Sequence, residues 1–205
     1  MAKGIFITFE GGEGAGKSTQ CALLAEHFIA QGREVILLRE PGSTAIGEKI
    51  RSILLDIDNA EMSPIAELLL YEAARAQMVS EVVIPALEQG KVIICDRFFD
   101  STVAYQGYGR ELGPEMVRTL NGIACQGVVP DRTILMERNI EEGLTSAKRK
   151  GSDRIEAESL EFHEKVRAAF EAMADEMPER IRRVTMREDP NETFAMILDQ
   201  IADLL

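Results

Sequence analysis

The chain has 205 residues, 45% of them hydrophobic, which is enough to bury the core of one globular domain. Its 23 basic and 35 acidic side chains give a net charge of −12. This charge argues against DNA or RNA as a partner, because nucleic-acid phosphates bind to basic surfaces. No apolar run is long enough to span a bilayer, and no charged segment precedes one, so neither a membrane span nor a secretion signal is predicted.

The first predicted elements are a short apolar strand over residues 5–9 and a helix that begins near Lys17. Between them, Gly11, Gly16, Lys17 and Ser18 fit the G-x-x-x-x-G-K-[ST] pattern of phosphate-binding loops. Glycines let successive backbone N–H groups turn inward, and the helix N-terminus adds further donors at the same point. The predicted nucleotide-binding residues are Gly11, Gly12, Glu13, Gly14, Ala15, Gly16, Lys17, Ser18 and Thr19. The segment predicts binding of a nucleoside triphosphate.

Strands and helices then alternate to the end of the chain. Further strands are predicted over 35–38, 91–95, 133–136 and 181–186. Helices are predicted over 46–54, 65–78, 100–106, 114–125, from 140 into a basic segment, over 159–177, and from an Asn191 cap to 205. Ser63 is the expected cap of the second of these, and Pro85 is expected to interrupt or restart the next helical segment. Such alternation predicts one α/β domain over 1–205, with a parallel sheet covered by helices on both faces.

Charged residues gather where ligands bind in such sheets, beyond the carboxyl ends of the strands. One group is the phosphate loop, and the others are the segment 39–42 and the pair Asp96-Arg97. Asp96 is either a solvated loop charge or an Mg²⁺ ligand, and Arg97 can clamp a phosphate with two N–H groups. The basic run 148–154 is either an exposed helix end or a lid, placed at about 146–158, that brings arginines to the γ-phosphate.

Five motifs in this order resemble the thymidylate kinase family: the phosphate loop and the segments 39–42, 70–75, 96–98 and 101–107. The resemblance covers nearly the whole chain. It implies the fold of P-loop nucleoside-monophosphate kinases, a five-stranded parallel sheet with a short lid. It also implies transfer of the ATP γ-phosphoryl group to dTMP with Mg²⁺, in a homodimer.

The chain has three cysteines, whose spacing matches neither a zinc site nor a redox pair. They are therefore expected to be buried free thiols in the cytoplasm.

The resemblance also assigns roles to single residues. Tyr71 is expected to stack on thymine, Arg75 to donate to a thymine carbonyl, and Gln106 to bind the base edge. Tyr105 is expected to exclude a 2′-hydroxyl, and Glu13 to approach the 3′-hydroxyl. The full dTMP set is Glu13, Arg39, Glu40, Pro41, Tyr71, Arg75, Arg97, Ser101, Tyr105 and Gln106. The expected catalytic residues are Lys17, Asp96, Arg97, Arg149 and Arg154, and the expected Mg²⁺ ligands are Ser18 and Asp96.

The chain departs from the family pattern at two places. The variable positions of the phosphate loop, 12–15, contain no arginine, so Arg149 or Arg154 of the lid is expected to supply the catalytic cation. The fourth strand runs into Glu137-Arg138, where relatives usually have an aspartate followed by an apolar residue. This second departure leaves the local packing and the role of Glu137 open.

Two other functions remain under consideration. Another nucleoside-monophosphate or deoxynucleoside kinase would need a different base pocket around Tyr71, Arg75 and Gln106. A P-loop switch ATPase would have no monophosphate site. The Asp96-Arg97 pair and the basic segment argue against the switch.

Overall fold

The computed structural model describes residues 4–148 and 153–205. In this part of the chain, five parallel strands form one sheet in the order β2-β3-β1-β4-β5. They are β1 (Ile5–Glu10), β2 (Val35–Arg39), β3 (Val92–Asp96), β4 (Arg132–Glu137) and β5 (Ile181–Thr185). The predicted parallel five-stranded sheet is confirmed.

The helices follow the strands in alternation. They are α1 (Lys17–Ala30), α2 (Ala45–Leu55), α3 (Pro64–Met78), α4 (Ile84–Glu88), α5 (Phe99–Thr102), α6 (Pro114–Cys125), α7 (Ile140–Lys148), α8 (Leu160–Glu176) and α9 (Pro190–Gln200). A π-helical turn, Val79–Val83, joins α3 to α4, and a second, Val103–Gly109, extends α5. Pro85 stands in the first turn of α4, where its missing N–H is tolerated. None of the described helices is both long and apolar enough to cross a membrane.

Helix caps explain where two of these helices begin. Ser63 caps α3 as predicted, because its Oγ accepts a hydrogen bond of 3.3 Å from the Ala66 backbone N–H. The prediction that Asn191 caps the last helix is wrong. Pro190 occupies the first helical position, so the cap moves back to Asp189, whose carboxylate accepts a 2.8 Å bond from the Asn191 N–H.

The sheet is buried on both faces, and its central strand shows why the sequence reads as continuously apolar. Ile7 and Phe9 of β1 pack toward α1 and α9, whereas Phe6 packs on the opposite face beside α3 and α4. All three side chains are fully buried. Successive strand residues point to opposite faces, so a strand covered on both sides is mostly apolar throughout; the buried Thr8 hydroxyl is hydrogen-bonded to the Thr133 hydroxyl at 2.8 Å. The three cysteines are buried and unpaired, as predicted.

The register of the central strands determines where the functional groups meet. β1 lies between β3 and β4, with Phe9 opposite Asp96 and Glu10 opposite Leu135. The ends of β3 and β4 therefore flank the segment that follows Glu10. This edge of the sheet is the carboxyl end, where the phosphate loop lies.

Candidate active site

The phosphate loop, residues 11–16, joins β1 to α1 in a conformation that requires glycine. Gly11 and Gly14 have φ angles of 125° and 63°, in the region that side chains disfavour. A Cβ atom at Gly11 would collide with the Met136 carbonyl oxygen, and one at Gly14 with the Gly143 carbonyl oxygen. The loop is therefore held tightly against β4 and the start of α7.

Lys17 lies across its own loop. Its Nζ donates hydrogen bonds of 3.0 Å to the Gly11 carbonyl and 2.7 Å to the Gly12 carbonyl. The side chain is buried, and burial, together with the neighbouring charge of Arg97, lowers the pKa of the ammonium. This places a lysine cation at the base of the predicted phosphate cradle.

Ser18 and Asp96, the two predicted Mg²⁺ ligands, lie side by side. The Ser18 Oγ donates to Asp96 Oδ2 at 2.5 Å, across the gap between α1 and the end of β3. A hydroxyl and a carboxylate oxygen suit Mg²⁺, which typically binds one or two protein oxygens and completes its shell with water and phosphate. The residues present therefore fit the predicted ion.

Arg97 connects the phosphate loop to the neighbouring pocket. Its backbone has a φ of 70°, which is uncommon for a residue with a side chain. One terminal nitrogen donates to the Gly11 carbonyl at 3.0 Å, and the other donates to the Glu13 carboxylate at 2.5 Å. Its guanidinium also lies 5.1 Å from the centre of the Tyr105 ring. The arginine therefore contacts residues predicted to bind both substrates.

Glu13 is held in its charged form between two predicted site residues. It accepts the Arg97 ion pair and a 2.9 Å hydrogen bond from the Tyr105 hydroxyl. Burial alone would raise the pKa of this carboxyl, but the charges of Arg97 and Lys17 outweigh it and lower the pKa to about 2. A carboxylate is thus fixed where the resemblance expects a partner for the sugar hydroxyl.

A second carboxyl group, that of Glu10, binds the segment 98–101, which directly follows Arg97. It is fully buried and accepts hydrogen bonds of 2.8 Å from the Phe98 N–H and 2.5 Å from the Ser101 hydroxyl. Burial and the nearby Asp100 charge raise its pKa to about 8. Asp100 itself is paired with Arg180 at 2.7 Å. The position of Arg97 is therefore supported by a buried network below it.

The phosphate loop opens into a cleft of 450 Å³. The cleft is also lined by most residues predicted to bind a monophosphate: Arg39, Glu40, Pro41, Tyr71, Arg97, Ser101, Tyr105 and Gln106. Burial raises the pKa of the Tyr71 hydroxyl, which keeps it neutral, and the Gln106 amide donates to Glu67 at 2.7 Å. Tyr105 and Gln106 belong to the π-helical turn after α5, and such turns often occur at functional sites. Arg39, at the rim, pairs with Glu48 at 3.0 Å.

Comparison with known proteins places this architecture in a family. The family model described as thymidylate kinase matches residues 9–197. The chain belongs to the thymidylate kinase family. It is 49% identical to the thymidylate kinase of Pelobacter propionicus over 97% of this chain and 94% of that protein. It is 43% identical to that of Thermoanaerobacter sp., over 99% of this chain and the whole of that protein. The crystal structure of the thymidylate kinase from Ehrlichia chaffeensis superposes with a TM-score of 0.80 at 32% identity, over 96% of this chain and 98% of that one. The fold is therefore that of a P-loop nucleoside-monophosphate kinase.

Arg75 does not line the cleft, in contrast to the prediction from the thymidylate kinase pattern. Its guanidinium is fully buried behind the wall, where it pairs with Glu40 and Glu72. Asn121 and Thr102 accept its remaining N–H groups, each at 2.5 Å. All five donors are thus held by protein acceptors, and in this conformation Arg75 anchors the pocket wall rather than presenting a donor to a base.

Arg154 also lies away from its predicted position. Its Nε donates to the Leu54 carbonyl at 2.9 Å, and a terminal nitrogen pairs with Glu67 at 2.5 Å. Its neighbours Asp153 and Ile155 line the phosphate-loop cleft, whereas Arg154 lines a separate cavity of 260 Å³. In this conformation Arg154 therefore braces α2 and α3 and does not reach the phosphate loop. Arg149, the other predicted lid arginine, lies outside the described residues.

Two further arginines line the cleft but are not among the site residues predicted from the sequence. Arg51 of α2 donates to the Pro41 carbonyl at 2.8 Å, and Arg138 donates to the Gly14 carbonyl at 2.8 Å. Both line the same cleft. No local motif marks Arg51, because only the packing of α2 brings it beside Pro41. Arg138 does have a signal: it follows an acidic residue at a strand end, as Arg97 does.

Proposed function

We propose that the chain transfers the γ-phosphoryl group of ATP to dTMP, giving dTDP and ADP. One observation carries the proposal: the phosphate loop and the predicted acceptor-binding side chains line a single cleft, and Arg97 contacts both groups. A phosphate loop alone is common to many nucleotide-binding proteins. A second pocket lined by aromatic rings, an amide and arginines is what a nucleotide acceptor needs.

In the proposed reaction, an oxygen of the dTMP phosphate attacks the γ-phosphorus of ATP. The bond between that phosphorus and the β,γ-bridging oxygen breaks, and ADP leaves with the bond electrons. Lys17 and the loop N–H groups bind the ATP phosphates, and Arg97 holds the acceptor phosphate. Ser18 and Asp96 would hold Mg²⁺, which when bound would supply positive charge that offsets the charge of the phosphates. The protein contributes mainly position and charge, so no covalent enzyme intermediate is required.

The proposed base and sugar selection uses residues of the same pocket. Tyr71 offers a flat, neutral ring for a pyrimidine, and Gln106 offers an amide whose orientation Glu67 fixes. Tyr105 and Glu13 are bonded to each other at 2.9 Å, where a ribose 2′-hydroxyl would have to displace them. This arrangement supports a deoxyribonucleotide acceptor, with Arg39, Glu40, Pro41 and Ser101 completing the wall. A switch ATPase would have no use for this second pocket.

The experiment for this proposal is an assay of ADP formation from Mg·ATP with and without dTMP. ADP and dTDP are expected in equal amounts, and only when dTMP is present. Chelation of Mg²⁺ with EDTA is expected to abolish turnover, and added Mg²⁺ should restore it. ADP formation at the same rate without dTMP would contradict the proposal.

We also propose that the chain acts in the cytoplasm as a homodimer of single-domain subunits. Buried unpaired cysteines fit a reducing compartment. Pairs of exposed apolar residues share a face on each of the packed helices α2, α3 and α6, at helical spacing. They are Ile46 and Ile53, Ile65 and Leu69, and Met116 and Ile123. Such a surface favours association with a second copy.

If the protein is a homodimer, light scattering should give a molar mass of twice 22.7 kDa. Leu69→Glu should shift the protein to the monomer, because it places a charge in the shared apolar surface. Ile29→Glu, on the distant helix α1, is the matched control and should leave the mass unchanged. A monomeric parent protein would contradict this arrangement.

A further inference from the structure

Arg138 stands in a position that mirrors that of Arg97. β3 and β4 flank β1, and each ends in an acidic residue followed directly by an arginine, Asp96-Arg97 and Glu137-Arg138. Each arginine donates one hydrogen bond to a carbonyl of the phosphate loop. Arg97 bonds to Gly11 at 3.0 Å, and Arg138 bonds to Gly14 at 2.8 Å. The loop is therefore flanked by a guanidinium on each side.

The two arginines differ in how many of their N–H groups are already used. Arg97 also pairs with Glu13 and donates to Ser101. Within the described part of the chain, Arg138 makes one hydrogen bond, the one to Gly14. Its Nε lies 3.7 Å from an exposed carboxylate, Glu142, which is beyond hydrogen-bond distance. Its side chain is 25% exposed, so it is anchored at one N–H with other donors able to bind a ligand.

The place of Arg138 in the cleft indicates which substrate it would meet. Arg39 and Arg51 line the cleft beside β2 and α2, on the monophosphate side. Arg138 lies on the opposite side, between the phosphate loop and α7. The variable loop positions 12–15 carry no cation, and Arg154 points into another cavity. The protein has a net charge of −12, which repels a triphosphate. A cation between the phosphate loop and α7 would offset this repulsion locally.

We propose that Arg138 is a further catalytic residue, which donates to the phosphate oxygens of bound ATP from the β4 side. This inference rests on the proposed kinase function and adds a residue to it. The guanidinium keeps its bond to Gly14 while its remaining N–H groups stabilise the charge on the transferring and leaving phosphates. In this arrangement Arg97 binds the phosphate of the acceptor, and Arg138 binds the phosphates of ATP.

The test compares Arg138→Met, Arg138→Lys and a control, Arg182→Met, in the full chain. Arg182 lies on the edge strand β5, pairs with Glu179 at 3.1 Å and lines none of the described cavities. For Arg138→Met we expect kcat to fall by about 30-fold and KM for ATP to rise by about tenfold. KM for dTMP should change less than about twofold, since that substrate binds on the other side. Arg138→Lys should recover part of the loss, because it restores the charge without the fork.

Calorimetric titration with Mg²⁺ and a non-hydrolysable ATP analogue tests the contact without any acceptor. Weaker binding by Arg138→Met, with an unchanged melting temperature, supports the proposal. Unchanged analogue affinity and unchanged kcat would overturn it, and so would an equal rise in both KM values together with a lower melting temperature. If the parent protein does not use dTMP, the proposed function fails, but this titration still decides the role of Arg138.

Discussion

Replacing Arg97 by methionine is expected to lower kcat/KM for dTMP by about a thousandfold. The guanidinium is the group that bridges the phosphate loop and the acceptor pocket, through Gly11, Glu13 and the Tyr105 ring. An arginine that stabilises a transferring phosphoryl group contributes about 10³-fold or more to the rate. Arg97→Lys should retain only a small part of the activity, because an ammonium cannot reproduce the two-nitrogen geometry. Steady-state kinetics with dTMP varied at saturating Mg·ATP measure the loss.

The Arg97 variant has a second expected effect, and it can be separated from the first. Without the guanidinium, Glu13 is left as a largely buried carboxylate without its main partner, so the melting temperature should also fall. The double variant Arg97→Met/Glu13→Gln removes both charges and should recover most of that stability while remaining inactive. A double variant with restored activity would show that Arg97 only supports the fold. Single-variant activity within tenfold of the parent would contradict the assigned role.

Replacing Lys17 by methionine is expected to reduce kcat by about 10²–10³-fold. Lys17 is buried against the loop, and among the described residues it is the only lysine that lines the cleft. No other described lysine can therefore replace its ammonium group at the phosphates. Methionine fills a similar volume, and the two lost hydrogen bonds end on loop carbonyls, so the fold should persist.

The matched control is Lys165→Met on α8, where the ammonium pairs with Glu111 and Glu161 outside the cleft, and it should leave kcat unchanged. Circular dichroism should give the same folded signal for both variants and the parent. Analogue titration should show weaker nucleotide binding by Lys17→Met alone. Retained turnover in that variant would mean that the loop is not the phosphate cradle.

Local chemistry explains why much of the site was predictable from sequence. The phosphate loop requires glycines, because other residues do not tolerate its positive φ angles and close backbone contacts. The loop can therefore be recognised from the sequence before the fold is known. The Ser18–Asp96 contact followed from one topological rule, that parallel strand ends meet at one edge of the sheet. The alternation of strands and helices predicted the parallel sheet, and the five motifs predicted family membership.

Side-chain direction was harder to predict. Arg75 and Arg154 were both assigned to ligands, but each satisfies buried carboxylates instead, Glu40 and Glu67. A buried carboxylate requires a cation, and only the packing of distant segments reveals which arginine supplies it. The reverse applies to Arg51, whose place beside Pro41 depends on how α2 packs.

The most direct measurement is kcat/KM for a panel of acceptors, dTMP, dUMP, UMP, dCMP, AMP and GMP, at saturating Mg·ATP. The structure of the cleft predicts dTMP as the best acceptor. UMP should be at least about a hundredfold poorer, because its 2′-hydroxyl would break the Tyr105–Glu13 hydrogen bond. A preference for AMP or GMP would contradict the pyrimidine pocket, and ADP release that no acceptor increases would contradict the kinase itself.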